Sequence, residues 1–204
     1  MAEFAVFAEG LSDLNDLKDI PKDIRRAAVR AINKVARDSR VGIARNIRSQ
    51  VALPASYVAP GQKRLYVSKQ AQGRSLEARI TARGRPTSLA RFTKGTARPG
   101  KAGVFVEVRP GRAKYLKKAF LIKLPQGSAL TDTRFNLGLA IRLRPGERIE
   151  NKTSARRVSK GLYLLYGPSV DQIFRANDGS GVANDSVPKI ESNLSDEFLR
   201  LLDL

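Results

Sequence analysis

The chain predicts an α+β fold, with one long N-terminal helix packed on an antiparallel sheet and further helices at the C-terminus. Three observations predict it. Apolar residues recur at helical spacing between Ile24 and Ile47. From Leu65 onward the period drops to two, in short runs separated by glycine and proline. Two more helical patterns follow, one after Pro168 and one near the C-terminus.

Residues 10–19 place Leu11, Leu14 and Leu17 three apart, the spacing of a short amphipathic turn or helix. Pro21 then opens a long helix, since the N–H that proline lacks is unbonded at that position anyway. Ile24, Ala28, Ala31, Ile32, Val35, Ser39, Ile43 and Ile47 fall mostly on one side. Arg26, Arg30, Lys34, Arg37, Arg40, Arg45 and Arg48 fall on the other. Over residues 21–50 the rod is ~45 Å long. Gly42 is a candidate bend, and Leu53-Pro54 ends the helix. The arginine stripe reads as a solvated face or as a surface against DNA or acidic neighbours. Only Asp38 interrupts it, so it lacks the i,i+4 acids that a plain solvent face commonly carries.

Leu65 and Val67, then Leu76, Ala78, Ile80 and Ala82, alternate with polar residues around Gln72-Gly73, a hairpin pattern. Residues 84–101 form a basic loop bearing glycine and proline, with Arg85, Arg91, Lys94, Arg98, Lys101 and one aromatic, Phe92. The spacing of a phosphate-binding P-loop is absent. Val104, Val106 and Val108 alternate with Phe105, Glu107 and Arg109 in the next strand, closed by Pro110-Gly111. Residues 115–124 suit either a strand or a helical turn running into one. Residues 137–143 and 161–166 read as two more strands, and the polar stretch between them as a long hairpin loop. Pro168 opens a helix whose apolar face is Val170, Ile173 and Phe174. A linker, NDGSGVANDS, leads to a last helix that starts at Ser192 or Ser195, either a good N-cap. Phe198, Leu201 and Leu202 form its apolar side, which docks on its own body or on a neighbour's.

Charge divides the chain into three parts: an acidic segment over 1–20, a basic α+β body over 21–176, and an acidic linker and helix over 177–204. Residues 1–24 carry six acids against two lysines, and residues 177–204 six acids against Lys189 and Arg200. The 152 residues between them hold 34 bases and seven acids, a net +27. A field of that strength calls for an anionic partner or a packed assembly. The sequence has no apolar run of about 18 residues, so no membrane helix is expected. The opening residues lack the features of a secretory signal.

Neither cysteine nor histidine occurs. That removes disulfides, thiolate metal sites, the commonest general base and the Ser–His–Asp arrangement. Of the seven acids in the body, the nearest pair, Glu147 and Glu150, flanks a Pro-Gly turn and reads as solvated loop charge. No catalytic residue, cofactor or metal is expected.

Five pieces, in order, resemble the minor tail protein Z family, the tail completion proteins of long-tailed phages. They are IRRAAVRAINKVARDSR in the first helix, Leu53-Pro54 after it, LARF at 89–92, Ala119-Phe120 after a basic stretch, and LYGPSV at 165–170 followed by EFLRLL at 197–202. The similarity spans roughly residues 10–204, and Tyr166, Gly167, Pro168, Ser169 and Val170 carry most of its specificity. The region 125–160 departs from the family, being longer and more polar. The resemblance implies a virion structural protein at the head-proximal end of a tail, assembled in the host cytoplasm. Implied partners are further copies in a ring, by analogy sixfold, the tail tube, the tail terminator and the head–tail connector. Genomic DNA or the tape-measure protein would lie beside it. Candidate channel-facing residues are Arg85, Arg91, Lys94, Arg98 and Lys101. Arg26, Arg30, Arg37 and Arg48 are candidates for contact with DNA or a neighbouring subunit, and Phe198, Leu201 and Leu202 for an inter-subunit helix. The residues themselves read YGPSV as a rigid strand-to-helix corner: glycine reaches conformations barred to other residues, and proline fixes the first helical turn. The alternative reading of the whole chain is a free, non-specific nucleic-acid-binding protein.

Overall fold

A computed structural model describes residues 2–7, 21–95, 98–125, 136–149, 154–175 and 181–202. The fold is α+β, with a long N-terminal helix, antiparallel sheets and C-terminal helices. The chain divides into two compact units, residues 1–47, 55–84 and 170–204 in one, and 48–54 with 85–169 in the other.

In the first unit, three strands pair antiparallel in the order β1 (Ala2–Phe7), β3 (Glu77–Ala82), β2 (Leu65–Lys69). Strand β1 carries no clear signal in the sequence. Its six residues, AEFAVF, are too short and too uniformly apolar for a clear period of two. Helix α1 (Lys22–Gln50) is continuous through Gly42. Its buried residues, Ala27, Ala28, Ala31, Ile32, Val35, Ala36, Ile43, Ala44 and Ile47, keep the helical period. Alanines dominate the N-terminal half of that stripe, which lets the helix lie close to its partners. Ala28, Ile32 and Ala36 pack with Ala71, Leu76 and Ala78 at the β2–β3 hairpin. Asn33 pins the same contact: its amide donates to the Ala71 carbonyl at 2.9 Å and its carbonyl accepts the Ala71 N–H at 2.9 Å.

Arg40 departs from the expected stripe. It is 6% exposed, because it occupies a stripe position between Ala36 and Ile43. Its Nε donates to the Leu65 carbonyl at 3.0 Å and its Nη2 to the Val58 carbonyl. Burial lowers its pKa from the ordinary arginine value. Beside it, the Arg64 guanidinium lies 4.1 Å over the Tyr57 ring, and Arg83 donates to the Tyr57 hydroxyl at 2.9 Å.

Helix α2 (Val170–Arg175) starts two residues after Pro168. Helix α3 (Val182–Leu201) starts ten residues before the earlier of the two expected caps. The stretch read as a linker therefore supplies its first turns, and Pro188 sits inside it. The residues read as a short helix at 10–19 lie outside the described residues.

The second unit is a seven-stranded antiparallel sheet. Its strands are β4 (Thr87–Ser88), β5 (Thr93–Lys94), β6 (Ala102–Arg109), β7 (Arg112–Lys123), β8 (Leu137–Arg142), β9 (Ala155–Ser159) and β10 (Leu162–Gly167). The order is β4-β10-β8-β7-β6-β5, with β9 also on β10. Of residues 115–124, all but Leu124 are thus settled as strand. The polar loop expected between β8 and β10 contains β9, whose RRVS pattern is exposed and gave no apolar signal.

The basic loop at 84–101 also proves largely structured. β4 and β5 lie at opposite ends of the strand order, five strand spacings or ~24 Å apart in a flat sheet. Only the short 3-10 helix Leu89–Phe92 joins them, spanning about 8 Å. The sheet must therefore roll until its two edges meet across LARF. Phe92 and Ala90 are buried at that seam. Val104, Val106, Ala119, Leu121 and Leu139 are buried on the strands, and Leu124, Ala140 and Leu164 form a further cluster.

Candidate functional site

The division into units redistributes the charge. Residues 48–54 and 85–169 hold 20 Lys and Arg against four Asp and Glu, a net +16. The other unit holds 18 against 15, a net +3. Almost the whole excess of the chain belongs to the rolled sheet.

The five candidate channel residues differ in exposure and in partners. Arg85 is exposed and close enough to Tyr166 for its charge to act on the phenol. Arg91 is half-buried in the seam helix. Lys94 on β5 pairs with Glu107 on β6 at 3.3 Å. Arg98 and Lys101 are exposed on either side of Pro99-Gly100, which is tied to β7 by a bond from the Gly100 N–H to the Leu121 carbonyl at 2.8 Å. Among the helix candidates, Arg26, Arg30, Arg37 and Arg48 are all exposed, and Arg48 donates to the Leu53 carbonyl at 3.4 Å.

Tyr166 and Gly167 pair with Ser88 and Thr87 on β4, so the YGPSV corner closes one edge of the seam. Gly167 does not have a positive φ. Its requirement is space: a Cβ there would stand 2.9 Å from the Phe92 ring and 3.4 Å from Leu89. Two segments of the resemblance, LARF and YGPSV, thus meet. Ser169 is buried. Tyr166 is half-buried, and burial raises its pKa against the opposing charges of Arg156 and Arg85.

Phe198 and Leu194 pack against the α1 cluster of their own chain, while Leu201 and Leu202 are half-buried. Glu197 fixes the docking. It accepts from Lys34 on α1 at 2.8 Å and from Arg200 at 2.7 Å. These bonds, Arg200 first and Lys34 second, push its pKa down to about 2. Asp185, Glu191 and Asp196 remain exposed on α3. Glu147 accepts from Lys118 at 2.5 Å and from the Arg144 N–H at 2.9 Å, which lowers its pKa. It is tied into the sheet unit, and Glu150 lies outside the described residues.

The alternation in β6 carries one further feature. Phe105 alternates outward from Val104 and Val106, and Tyr115 stands directly opposite it across β6 and β7. Among the described residues no group of three or more acids could hold a metal ion, and no helix is long and apolar enough to cross a membrane. Comparison of the chain with family models, curated proteins and solved structures returns no match.

Proposed function

We propose that this chain is a non-catalytic structural component of a phage tail neck, acting at the head-proximal end of the tail as one copy in a ring. Charge segregation is the observation that carries this reading. A sheet unit of net +16 and a helix exposing Asp185, Glu191 and Asp196 offer unlike surfaces on one chain. A closed ring repeats one heterologous interface, and unlike surfaces supply its two sides. The resemblance to tail completion proteins supplies the setting, beside the tail tube, terminator and connector. Bases left over from the ring contacts would face DNA or the tape-measure protein. The test is assembly without the chain. Filled heads and separate tails should accumulate, and joined particles should return when the chain is added. Normal joining without it rejects the proposal.

A second reading, a free nucleic-acid-binding protein, is favoured by the same +16 unit. It predicts tight DNA binding by a monomer that ignores tails.

A further inference from the structure

Phe105 and Tyr115 lie opposite each other across β6 and β7 with ring centroids 4.8 Å apart and planes inclined at 43°. They are 54% and 52% exposed. An exposed aromatic pair of this kind is not core, and its position is built. Gly103, at φ +89°, lies under Tyr115: a Cβ there would overlap the tyrosine hydroxyl and stand 3.0 Å from Cζ. Only glycine lets the ring lie down on the strand. Lys94 pairs with Phe105 from the other side, so Lys94, Phe105 and Tyr115 form one cross-strand row. Glu107 holds the Lys94 ammonium on that face at 3.3 Å.

The surroundings decide the occupant. Residues 105–118 carry Arg109, Arg112, Lys114, Lys117 and Lys118 against Glu107. Lys114 stands opposite the buried Val106, on the other face from the aromatic pair, and Lys118 is paired with Glu147, leaving Arg109, Arg112 and Lys117 as the cations of the hairpin. Protein–protein contacts are depleted of lysine around their aromatic anchors. Aromatic faces set among lysines and arginines are the usual composition of surfaces that take single-stranded nucleic acid, where nucleobases stack on the rings and phosphates meet the lysine and arginine side chains. A duplex keeps its base faces inside its own stack, so it offers such a surface phosphates and groove edges but no base face to stack on.

The geometry points to the β6–β7 hairpin as a single-strand-binding platform, with nucleobases stacking on Phe105 and Tyr115 and the backbone running along the hairpin cations. This goes beyond a structural place in a particle and does not depend on it. The test uses the purified full chain with an oligo(dT) of about 20 nucleotides and a duplex of equal length. Phe105→Leu with Tyr115→Leu keeps apolar cover over Gly103 and removes the stacking faces. The double variant should lose about tenfold or more in oligo(dT) affinity, with duplex affinity and the salt slope of oligo(dT) binding unchanged. Phe105→Leu alone, which leaves the Tyr115–Gly103 contact in place, should lose part of the same affinity at an unchanged melting temperature. Unchanged oligo(dT) affinity overturns the proposal, as does an equal loss on the duplex. A drop in self-association mass with unchanged oligo(dT) binding assigns the face to a second copy and overturns it as well.

Discussion

A buried guanidinium persists only where its N–H groups find acceptors. Arg40 reaches the carbonyls of Leu65 and Val58, and Arg40→Met would strand both. We expect a loss of about 2–3 kcal/mol in denaturant unfolding, against less than about 0.5 kcal/mol for Arg37→Met on the exposed side. Glycines give a second contrast. Gly167→Ala forces a methyl against Phe92 and should cost about 1–3 kcal/mol. Gly42→Ala meets nothing within 4 Å in mid-helix and should stabilise by about 1 kcal/mol. Both are read from unfolding midpoints. These sites differ in how far the sequence exposes them. Arg40 could have been found, since it sits in register with Ala36, Ile43 and Ile47 on the apolar stripe, but residue type outweighed position. The need for Gly167 could not, because Phe92 is distant in sequence and only the rolled sheet brings it there.

Helix α3 is held on α1 by an apolar contact and an ion-pair cluster, and the two respond to different tests. Glu197 has its pKa pushed down to about 2 from an ordinary 4.5. A carboxylate depressed on folding adds stability that is present above about pH 4.5 and lost as pH falls through about 2. The stability difference between the native chain and Glu197→Gln should therefore shrink across that window. A difference that stays constant with pH removes the Lys34–Glu197–Arg200 cluster from the account. Deleting residues 191–204 strips Leu194 and Phe198 from the α1 cluster and should lower the melting temperature, since α3 docks within its own chain. Elements with a strong period, α1 and the strands at 65–69, 77–82, 102–109 and 162–167, were legible in the sequence. Those that depend on pairing were not. β9 is exposed and polar, β4 and β5 are two residues each, and all three exist because a neighbouring strand offers its edge.

At the scale of the whole chain, the net +16 of the sheet unit is the property to test against anionic partners. Arg98→Glu with Lys101→Glu changes two exposed residues and should leave the fold intact. If both meet phosphate, the slope of log affinity against log salt should fall by roughly two units, without sequence preference. Lys94→Glu is a poorer probe, because it sets a carboxylate beside Glu107. The proposed function requires that this chain assemble with itself and with a tail. It is tested most directly by the mass of the purified chain in solution, alone and then with tail tube and terminator proteins. The expected result is a closed ring, sixfold by analogy, formed alone or on the tube and bound to it. A monomer under both conditions that ignores the tube and binds DNA tightly would contradict it.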